Sequence, residues 1–549
     1  MIGRARGSIG TAQKQNSQVA RYRAPIGGVD LRKSLGDLED PIHCIYTYNM
    51  MPFELGMRVR EGYREWALDV DAGVNSGVHT LIPFDSAEEN NVGDKLFAVN
   101  NEGIWDVTAY DTAPTQLVVF SDQAADAGYG TFTHYVDQAE NDVLFYADNV
   151  NGLYSYSGGV WTNTGLVDGI DEADVKFVMS HKNNIWFAVK NSTVGYYLDI
   201  LSTTGTVTAQ YFGDKFKHGG TLEGLFSWTV DGGSGVDDIL VAVSHAGDVI
   251  MYTGSGPEAE DWGMKGVWYI GEIPNTPRFG TEQGGELLLL SSYGIVSMND
   301  LLKGVDTNAL LAAMDGTTIS AKIAAAIRSD MKAKRDLRGW GVSMVPTEGG
   351  LLLATPTVGS EAPIQYYYNI ATQGWGIWRG VPMECFTQFK DSVFFGTSEG
   401  KVMRMDVSVD NQLINPVNPA INGDSIDFSV LTSYRALGSA GVYKRVKFIR
   451  PDFLSNEAPL HSSQARYDFN LDEGTDFQLQ TSNNITAGIW DLGRWDENVW
   501  GSDSSRTFPT LTGSWGSGRY IAIATKGTTR YRTRLLGWDV IYDTGGPMS

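Results

Sequence analysis

The sequence has very little cysteine and no long apolar run. Only two cysteines, Cys44 and Cys385, occur among 549 residues, which excludes a disulfide framework and predicts free buried thiols. No stretch approaches the roughly 18 apolar residues of a membrane span. The arginines near the N-terminus are not followed by the apolar core of a signal peptide. We therefore expect a soluble protein that is made in a cytoplasm.

The sequence also lacks the motifs that indicate catalysis or metal binding. It has no glycine-rich phosphate loop and no nucleophile elbow. Acidic loops at 168–174 and 472–476 offer the oxygen ligands that calcium prefers, but neither fits the EF-hand pattern, and solvated turns are the simpler interpretation. The histidines are scattered, with no pair at metal-ligand spacing: His43, His79, His134, His181, His218, His245 and His461. We predict no catalytic residue, no cofactor and no metal.

Charge is unevenly distributed along the chain. The whole sequence carries −23, but residues 1–33 contain seven Arg or Lys against Asp30 alone, so this arm carries +6 and the rest −29. A strongly acidic body argues against wrapping nucleic acid, because phosphate contacts need a basic surface. A basic arm on an acidic body favours electrostatic docking onto a neighbouring protein, which could be an identical copy; a solvated tail is the alternative.

A short meander repeats along the chain. The stretch DVLFYADNVNGLYSYSGGVW, residues 142–161, alternates apolar runs with Gly/Asn turns, which is typical of antiparallel strands. Four strands in about 50 residues is the content of a propeller blade, and such sheets need one another to cover both faces. Similar hairpins begin at Lys95, Asp142, Asn184, Ile239, Glu286, Leu351 and Ser392. We predict an all-β protein with a β-propeller of about seven blades; six blades and a series of sandwiches are the alternatives.

One interval interrupts the repeat. The step between the fifth and sixth hairpins is 65 residues and contains an alanine-rich stretch without proline. Three isoleucines spaced by four residues form an apolar stripe, and a threonine before or beside the first is the expected cap. These residues are Thr317 or Thr318, Ile319, Ile323 and Ile327. The pattern predicts one helical insertion near 307–334, packed on the rim of the propeller or facing a partner.

The repeated hairpin pattern ends near residue 406. A Pro/Asn-rich link, VDNQLINPVNPAINGDS, leads to strand-like runs that predict a separate β-sandwich-like domain. The predicted organisation is a basic arm and extended segment over 1–77, a propeller over 78–406 and a C-terminal β domain over 407–549. Trp490, Trp495 and Trp500 stand at steps of five in the last domain. Packing of large rings is the preferred interpretation of these tryptophans, and a sugar-binding platform is the alternative.

Several stretches together resemble a known family. They are APIGGVD near the N-terminus, YNMMPFELGMRVREGYREWA from Tyr48, and LLGWDVIYDTGG near the C-terminus, around a strand-rich propeller. The combination is similar to the tail hub or nozzle proteins of short-tailed bacteriophages, which are related to those called packaged-DNA stabilisation proteins. The resemblance covers most of the chain, and GMRVREGYREW is its most telling motif.

The resemblance implies a structural, non-enzymatic protein of the virion tail that is assembled in the host cytoplasm. Six copies would form a ring below the adaptor of the head-to-tail connector, continue the channel for packaged double-stranded DNA without reading its sequence, and dock tail fibres or spikes. A propeller glycosidase with paired carboxylates at its central channel, or a carbohydrate-binding receptor module, remains the alternative. The candidate contacts with partners are Arg4, Arg6, Arg21, Arg23, Arg58, Arg60 and Arg64.

Overall fold

The computed structural model describes 17–32, 42–71, 76–86, 93–231, 236–283, 285–303, 318–359, 361–417, 422–471 and 511–545, together with short strands at 487–488, 499–500 and 506–507. Most regular structure in these residues is antiparallel β. Two α-helices occur among them, α1 (Met298–Leu302) and α2 (Ala324–Lys334). No helix in the described part of the chain is long and apolar enough to cross a membrane.

Seven antiparallel sheets stand around one axis and form a β-propeller, as predicted. The innermost strand of each blade lies against the next blade, and blade 7 contacts blade 1, which closes the ring. The seven hairpins that the sequence predicts are the second and third strands of the seven blades. The prediction of about seven blades is therefore confirmed.

The strands of each blade are given from the innermost outward. Blade 1 contains Thr80–Phe84, Lys95–Val99, Gly103–Asp106 and Thr115–Val119. Blade 2 contains Gly130–Val136, Asp142–Asp148, Gly152–Ser157 and Val160–Thr162. Blade 3 contains Val175–His181, Asn184–Val189, Val194–Tyr197 and Thr208–Tyr211. Blade 4 contains Leu222–Asp231, Val236–Ser244, Asp248–Thr253 and Gly263–Tyr269.

The remaining blades follow the same order. Blade 5 has three strands, Gly280–Gln283, Glu286–Ser291 and Gly294–Ser297. Blade 6 contains Gly341–Val345, Gly350–Ala354, Ile364–Asn369 and Gly374–Arg379. Blade 7 contains Cys385–Phe389, Ser392–Gly396, Val402–Val407 and Gly62–Ala67. Minor elements are the parallel pair Val167–Asp168 and Gly205–Thr206, the parallel pair Ala487–Gly488 and Val499–Trp500, and 3-10 turns at Glu172–Asp174, Ala321–Ile323 and Pro346–Glu348.

Apolar side chains are buried between neighbouring blades. One cluster joins blades 7 and 1 through residues that include Leu96, Trp105 and Phe394, and similar clusters join the following pairs of blades. The run 287–290 is four consecutive leucines, all fully buried. A strand can be apolar on both faces because radial stacking covers each sheet from both sides.

The helical insertion covers the outer edge of the three-stranded blade 5. Ile323 and Ile327 are fully buried in the core, as their spacing predicts. The predicted start is wrong, because α2 begins only at Ala324, after a 3-10 turn, and no side chain caps it. The nearby Ser320 hydroxyl instead accepts the Ile295 N–H at 2.9 Å, so it binds the edge of the blade. Thr317 lies outside the described residues.

Two sheets form a β-sandwich beside blade 6, which confirms the predicted second β domain. The first sheet contains Gln18–Arg23, Met50–Phe53, Gly56–Val59, Lys444–Ser455, Arg506–Thr507, Thr512–Gly513 and Thr533–Thr544. The second contains Cys44–Tyr48, Ile426–Thr432, Leu460–Tyr467 and Ile521–Thr529. The second sheet continues from blade 6, because Tyr48 bridges to Ile377.

The N-terminal region is shared between the two domains. The sequence interpretation kept 1–77 apart as a basic arm and extended segment. In the structure, strands between Gln18 and Val59 belong to the sandwich, and Gly62–Ala67 is the outermost strand of blade 7. Each of these strands is too short to hold a core of its own, so it pairs with strands from the far end of the chain.

Candidate functional site

A cavity of about 1060 Å³ occupies the axis of the propeller and is lined by the innermost strands of all seven blades. Neighbouring innermost strands are aligned side by side. The Thr131 hydroxyl accepts the Val178 N–H at 3.1 Å, and the Thr133 hydroxyl donates to Ser180 at 3.2 Å, so the residue offset between blades 2 and 3 is constant. Side chains at the starts of these strands therefore gather at one end of the channel and those at the strand ends gather at the other.

The end at which the strands begin carries an arginine and a carboxylate. Arg278, just before the first strand of blade 5, donates to the His79 carbonyl at 2.8 Å, while its Nε has no hydrogen-bond partner. Glu384 precedes the first strand of blade 7, and burial raises the pKa of its carboxyl against the opposing effect of Arg278. Burial, Arg278 and Arg338 lower the pKa of His79 to about 4. This end is therefore close to charge balance.

The other end of the channel is acidic. We define the acidic end by the carboxylates that line it near the strand ends, which are Asp85, Asp137, Asp142, Asp238 and Glu282. Partial burial and the neighbouring Asp238 raise the pKa of Glu282. The cation beside them, Lys182, donates its ammonium to the Gly254 carbonyl, so it is already engaged with a backbone oxygen. The lining as a whole holds six carboxylates against Lys182 and Arg278, a formal balance of −4.

Between the two ends the lining is polar and aromatic. His181 is 2% exposed, and its Nδ1 lies 2.8 Å from the Ser227 hydroxyl of the next blade. Burial lowers the pKa of His181 to about 4, and its buried Nε2 has no hydrogen-bond partner. Phe132, Phe226 and Phe386 are only half-buried and also line the cavity. The wall can therefore contact both an apolar group and a hydrogen-bond donor.

The arginines of the arm that fall within the described residues lie on the outer face of the first sandwich sheet. Arg21 is 46% exposed and pairs with Asp539 at 2.8 Å and Asp452 at 3.1 Å. Arg23 lies two residues further along the same strand and is exposed. Arg4 and Arg6 lie outside the described residues. Their predicted role as partner contacts stays a prediction, although Arg21 already has partners within its own chain.

The arginines of RVREGYR lie at the junction of the two domains. Arg58 pairs with Glu348 of blade 6. Arg64 pairs with Asp406 of blade 7 at 2.5 Å. The interpretation of Arg60 as a partner contact is corrected by its burial, since its side chain is 1% exposed. The cause is that this segment is enclosed between the sandwich and blades 6 and 7, where each guanidinium meets a carboxylate of its own chain.

Arg60 is held by the groups around it on every side. Its guanidinium binds both oxygens of Asp410, at 2.6 and 2.7 Å. Its Nε donates to Asn49 Oδ1 at 3.0 Å, and its remaining donors reach the carbonyls of Glu61 and Arg379. A bidentate, buried arginine with all donors satisfied fixes the geometry of the groups that it touches. Arg60 therefore joins the sandwich, blade 6 and the link that follows the propeller.

The acidic loop at 168–174 serves local turns. Asp171 caps a 3-10 turn by accepting the Ala173 N–H at 3.0 Å, and Glu172 accepts the Val167 N–H at 2.8 Å. Among the residues that the structure describes, no group of three or more His, Cys, Asp or Glu is placed to hold a metal. The loop at 472–476, Trp490 and Trp495 lie outside the described residues, and Trp500 is described only as part of a short strand.

Sequence reasoning missed the charged lining of the channel. Arg278, Glu282 and Glu384 stand next to or inside the innermost strands, which are short and weakly apolar. The signal that could have found them is the polar and aromatic alternation of runs such as TFTHYV, which precede the predicted hairpins. A propeller places the first strand of every blade at its axis, so these runs identify channel positions.

No family model matches this chain, and no curated protein matches it. Solved structures with a similar fold include YCF48 bound to D1 peptide, at 12% identity and a TM-score of 0.34, covering 62% of this chain and 97% of that chain. BBS1N in complex with ARL6DN follows at 10% identity and a TM-score of 0.29, covering 44% of this chain and 74% of that chain. The extracellular domain of the hybrid two-component system BT4673 from B. thetaiotaomicron has 12% identity and a TM-score of 0.35, covering 62% of this chain and 39% of that chain. These likenesses carry no argument about function.

Proposed function

We propose that this protein is a structural subunit of the tail of a short-tailed bacteriophage, a hub or nozzle component that forms a ring below the portal and adaptor. The observation that supports the proposal is the position of GMRVREGYREW, the motif on which the family resemblance depends most. Gly56–Val59 is a strand of the sandwich, and Gly62–Ala67 completes blade 7. The motif is thus a joint between two domains, which suits a protein whose role is mechanical.

The joint is stiff for a physical reason. The second sandwich sheet continues the sheet of blade 6, and the buried Arg60–Asp410 pair fixes the link beside it. Backbone pairing across a domain boundary resists hinge motion more than a flexible linker does, because bending would break hydrogen bonds along the sheet. A subunit that carries load between a capsid and a tail benefits from such a joint.

Duplex DNA does not fit through one propeller. If the cavity of about 1060 Å³ extends along an innermost strand of roughly 17 Å, the centre of a water molecule can move over a cross-section of roughly 60 Å². A DNA duplex is wider than this channel, because its major groove alone is about 12 Å wide. In a ring of six copies the DNA would therefore run between subunits. The net charge of −29 outside the arm would repel phosphate and help the DNA to slide.

The proposal predicts a closed ring in solution and no enzymatic turnover. Purified protein, alone and with the adaptor, would be examined by size-exclusion chromatography with light scattering and by negative-stain electron microscopy. We expect rings of six copies attached to the adaptor, which would continue to fibres or spikes in the virion tail. Monomers alone at high concentration in the presence of adaptor would contradict the proposal.

A glycosidase that works in the channel is the second candidate. The observation that favours it is the carboxyl of Glu282, whose pKa is raised partly by the neighbouring Asp238. A carboxyl with a raised pKa beside a second carboxylate resembles the pair of a glycosidase active site, in which one carboxyl is the general acid and the other is the nucleophile or base. Hydrolysis of a bacterial surface polysaccharide that stops in Glu282→Gln would support this candidate, and loss of ring formation would not be expected in the same variant.

A further inference from the structure

We propose that the acidic end of the propeller channel binds the basic N-terminal segment, residues 1–16, of a second copy of this chain. The inference rests on the proposed ring for its choice of a second copy, whereas the channel site stands on its own contacts. The segment MIGRARGSIGTAQKQN carries Arg4, Arg6 and Lys14 without any carboxylate, which is +3. The channel lining carries −4.

Charge at the acidic end is open to a ligand. No ion pair or hydrogen bond engages the carboxylates of Asp85 and Glu282 among the described contacts, and both side chains are exposed to the channel. Asp238 accepts a hydroxyl bond from Thr229 at 2.7 Å, and within the described part of the chain no cation pairs with it. The ammonium of Lys182 is turned to the Gly254 carbonyl. A cation that enters this end therefore meets the carboxylates of Asp85 and Glu282, and each contact formed away from bulk water is strengthened.

A second observation on the wall points to a ligand rather than to solvated acids alone. His181 lines the cavity with a buried Nε2 that has no partner, and the rings of Phe132, Phe226 and Phe386 are only half-buried. Arginine stacks on aromatic faces as well as pairing with carboxylates. The wall thus offers both kinds of contact that an arginine-bearing chain uses, within one concave site.

The dimensions admit a polypeptide chain. A cavity of about 1060 Å³ along the axis leaves room for an extended peptide between the innermost strands. Residues 1–16 contain seven Gly, Ala, Ser or Thr residues and no aromatic residue or proline. At about 3.3 Å per residue the segment reaches roughly 50 Å, which is enough to enter a neighbouring subunit.

The choice of a second copy follows from how the rest of the arm is held. Gln18–Arg23 pairs with Thr533–Thr544 along its whole length, and Arg21 binds Asp539 and Asp452. Gln18–Arg23 is thus fixed to its own sandwich, and we assign the contact with a neighbour to the residues that precede it. An arm that inserts into the channel of the next subunit joins two different surfaces, which is the heterologous contact that closes a ring.

Binding is tested with a fluorescein-labelled peptide of residues 1–16 and protein that lacks those residues. We expect saturable binding by fluorescence anisotropy at 50 mM salt, weakened at least tenfold at 300 mM salt, because exposed pairs are screened. The channel variant Asp85→Asn/Glu282→Gln should weaken binding at least tenfold. The matched variant Glu54→Gln/Asp427→Asn removes the same charge from exposed positions on the sandwich and should bind like the unmodified protein. Equal loss in both double variants, or no saturable binding at low salt, would overturn the channel site.

The second copy is tested separately with full-length protein. A photo-crosslinking residue at position 6 is introduced into a mixture of isotopically heavy and light chains, and cross-linked peptides are read by mass spectrometry. We expect heavy–light links to the strand Gly130–Val136. Links within single chains only would overturn the second copy. Peptide binding that persists without any ring by electron microscopy would refute the proposed function but leave the channel site intact.

Discussion

The propeller and the sandwich are both antiparallel β structures, but they are assembled from the chain in opposite ways. Blades 1–4 are each built from strands that follow one another in sequence. In the sandwich, Gln18–Arg23 pairs with Thr533–Thr544, and Cys44–Tyr48 pairs with Ile426–Thr432. The sandwich therefore cannot form until both ends of the chain are present, whereas a blade needs only about 50 residues.

This difference has consequences for folding and for stability. Local hairpins form early because closing a short loop costs little conformational entropy, and long-range pairing follows. Blade 7 combines local and long-range pairing. Three of its strands follow one another in sequence, and the fourth, Gly62–Ala67, comes from the N-terminal region. Closure of the propeller and completion of the sandwich are thus linked through 56–67, where Arg60 lies between the sandwich strand Gly56–Val59 and the blade strand Gly62–Ala67.

The largest expected effect comes from breaking this link. Arg60→Met removes the cation that binds both oxygens of the largely buried Asp410 and leaves that carboxylate uncompensated. Removing one partner of a buried pair costs about 3–5 kcal/mol. We expect the free energy of unfolding in urea to fall by that amount, and the fluorescence and circular dichroism transitions to separate as the two domains unfold independently.

The control for this prediction is Arg21→Ala. Arg21 also binds two carboxylates, but its side chain is 46% exposed, and exposed pairs contribute about 0–1 kcal/mol. If the free energy of unfolding fell by similar amounts in Arg60→Met and Arg21→Ala, the junction would be no more stabilising than a surface contact. The two domains would then not be linked through Arg60.

The same contrast explains what could be predicted from the sequence. The second and third strands of each blade alternate apolar residues around a Gly/Asn turn, so all seven hairpins were detectable. The strands between Gln18 and Val59 also have strand-like local sequences, but their partners lie near the other end of the chain. No local sequence pattern encodes that pairing. The start of α2 was misplaced because Ser320 binds Ile295 of blade 5, a tertiary contact that local capping rules do not include.

Of the candidate site, the charge excess was predictable but its arrangement was not. The sequence shows an acidic body, yet Asp85, Asp238 and Glu282 come from three different blades and meet only when the ring closes. The arginines of RVREGYR were predicted to contact partners, and for Arg58 and Arg64 this stays a prediction. Burial reversed the interpretation of Arg60, because a charged residue in a strand was assumed to face solvent.

The next largest effect is on the pH dependence of the free energy of unfolding, to which a buried histidine in each domain contributes. His181 of the propeller and His461 of the sandwich are both buried, and burial lowers the pKa of both, that of His181 to about 4. In the unfolded chain a histidine titrates near about 6.5. Between these values only the unfolded chain binds the proton, so stability is complete above about pH 6.5 and is lost as pH falls, at roughly 1.4 kcal/mol per unit.

Asparagine at either position keeps a polar group near the site of Nδ1 but cannot be protonated. The free energy of unfolding of the unmodified protein should fall as the pH is lowered from 6.5 to 4. We expect His181→Asn to reduce that fall by up to roughly 3 kcal/mol, as measured by urea unfolding across that range. His461→Asn should act in the same direction. Exposed His245→Asn is the control. A slope that is unchanged in His181→Asn would show that the channel histidine does not set the acid stability of the propeller.

A smaller effect separates contacts between blades from turns within a blade. Gly152 has φ +84°, and a Cβ at that position would lie 2.1 Å from the carbonyl oxygen of Glu172, at the start of blade 3. Gly158, in the next turn of the same blade, has φ +58° with nothing within 4 Å. We expect Gly152→Ala to cost about 2 kcal/mol or more, from strain plus displaced backbone, and Gly158→Ala about 1 kcal/mol from backbone strain alone. Equal costs in thermal unfolding would remove the contrast between the two turns.

The smallest effect distinguishes the channel from the surface of the sandwich. Partial burial and Asp238 raise the pKa of Glu282, so the folded protein holds a proton there more readily than the unfolded chain does. Above the raised pKa the ionised carboxylate therefore opposes folding, and below about pH 4 the difference disappears because both states are protonated. Glu282→Gln should increase the free energy of unfolding at pH 7.5 by less than about 1 kcal/mol, since channel water screens the charge. The melting temperature should therefore rise slightly at pH 7.5 and stay unchanged at pH 4.

Glu54, in an exposed turn of the sandwich, provides the matched substitution, and Glu54→Gln should not change the melting temperature at either pH. A fall in melting temperature in Glu282→Gln at pH 7.5 would mean that the carboxylate makes a stabilising contact within the channel. The acidic end would then be satisfied within its own chain, and it would have no unbalanced charge with which to bind a basic segment. A rise in stability together with weaker peptide binding is the combination that a ligand site predicts, because unpaired carboxylates reduce the stability of the free protein and are balanced only by a bound cation.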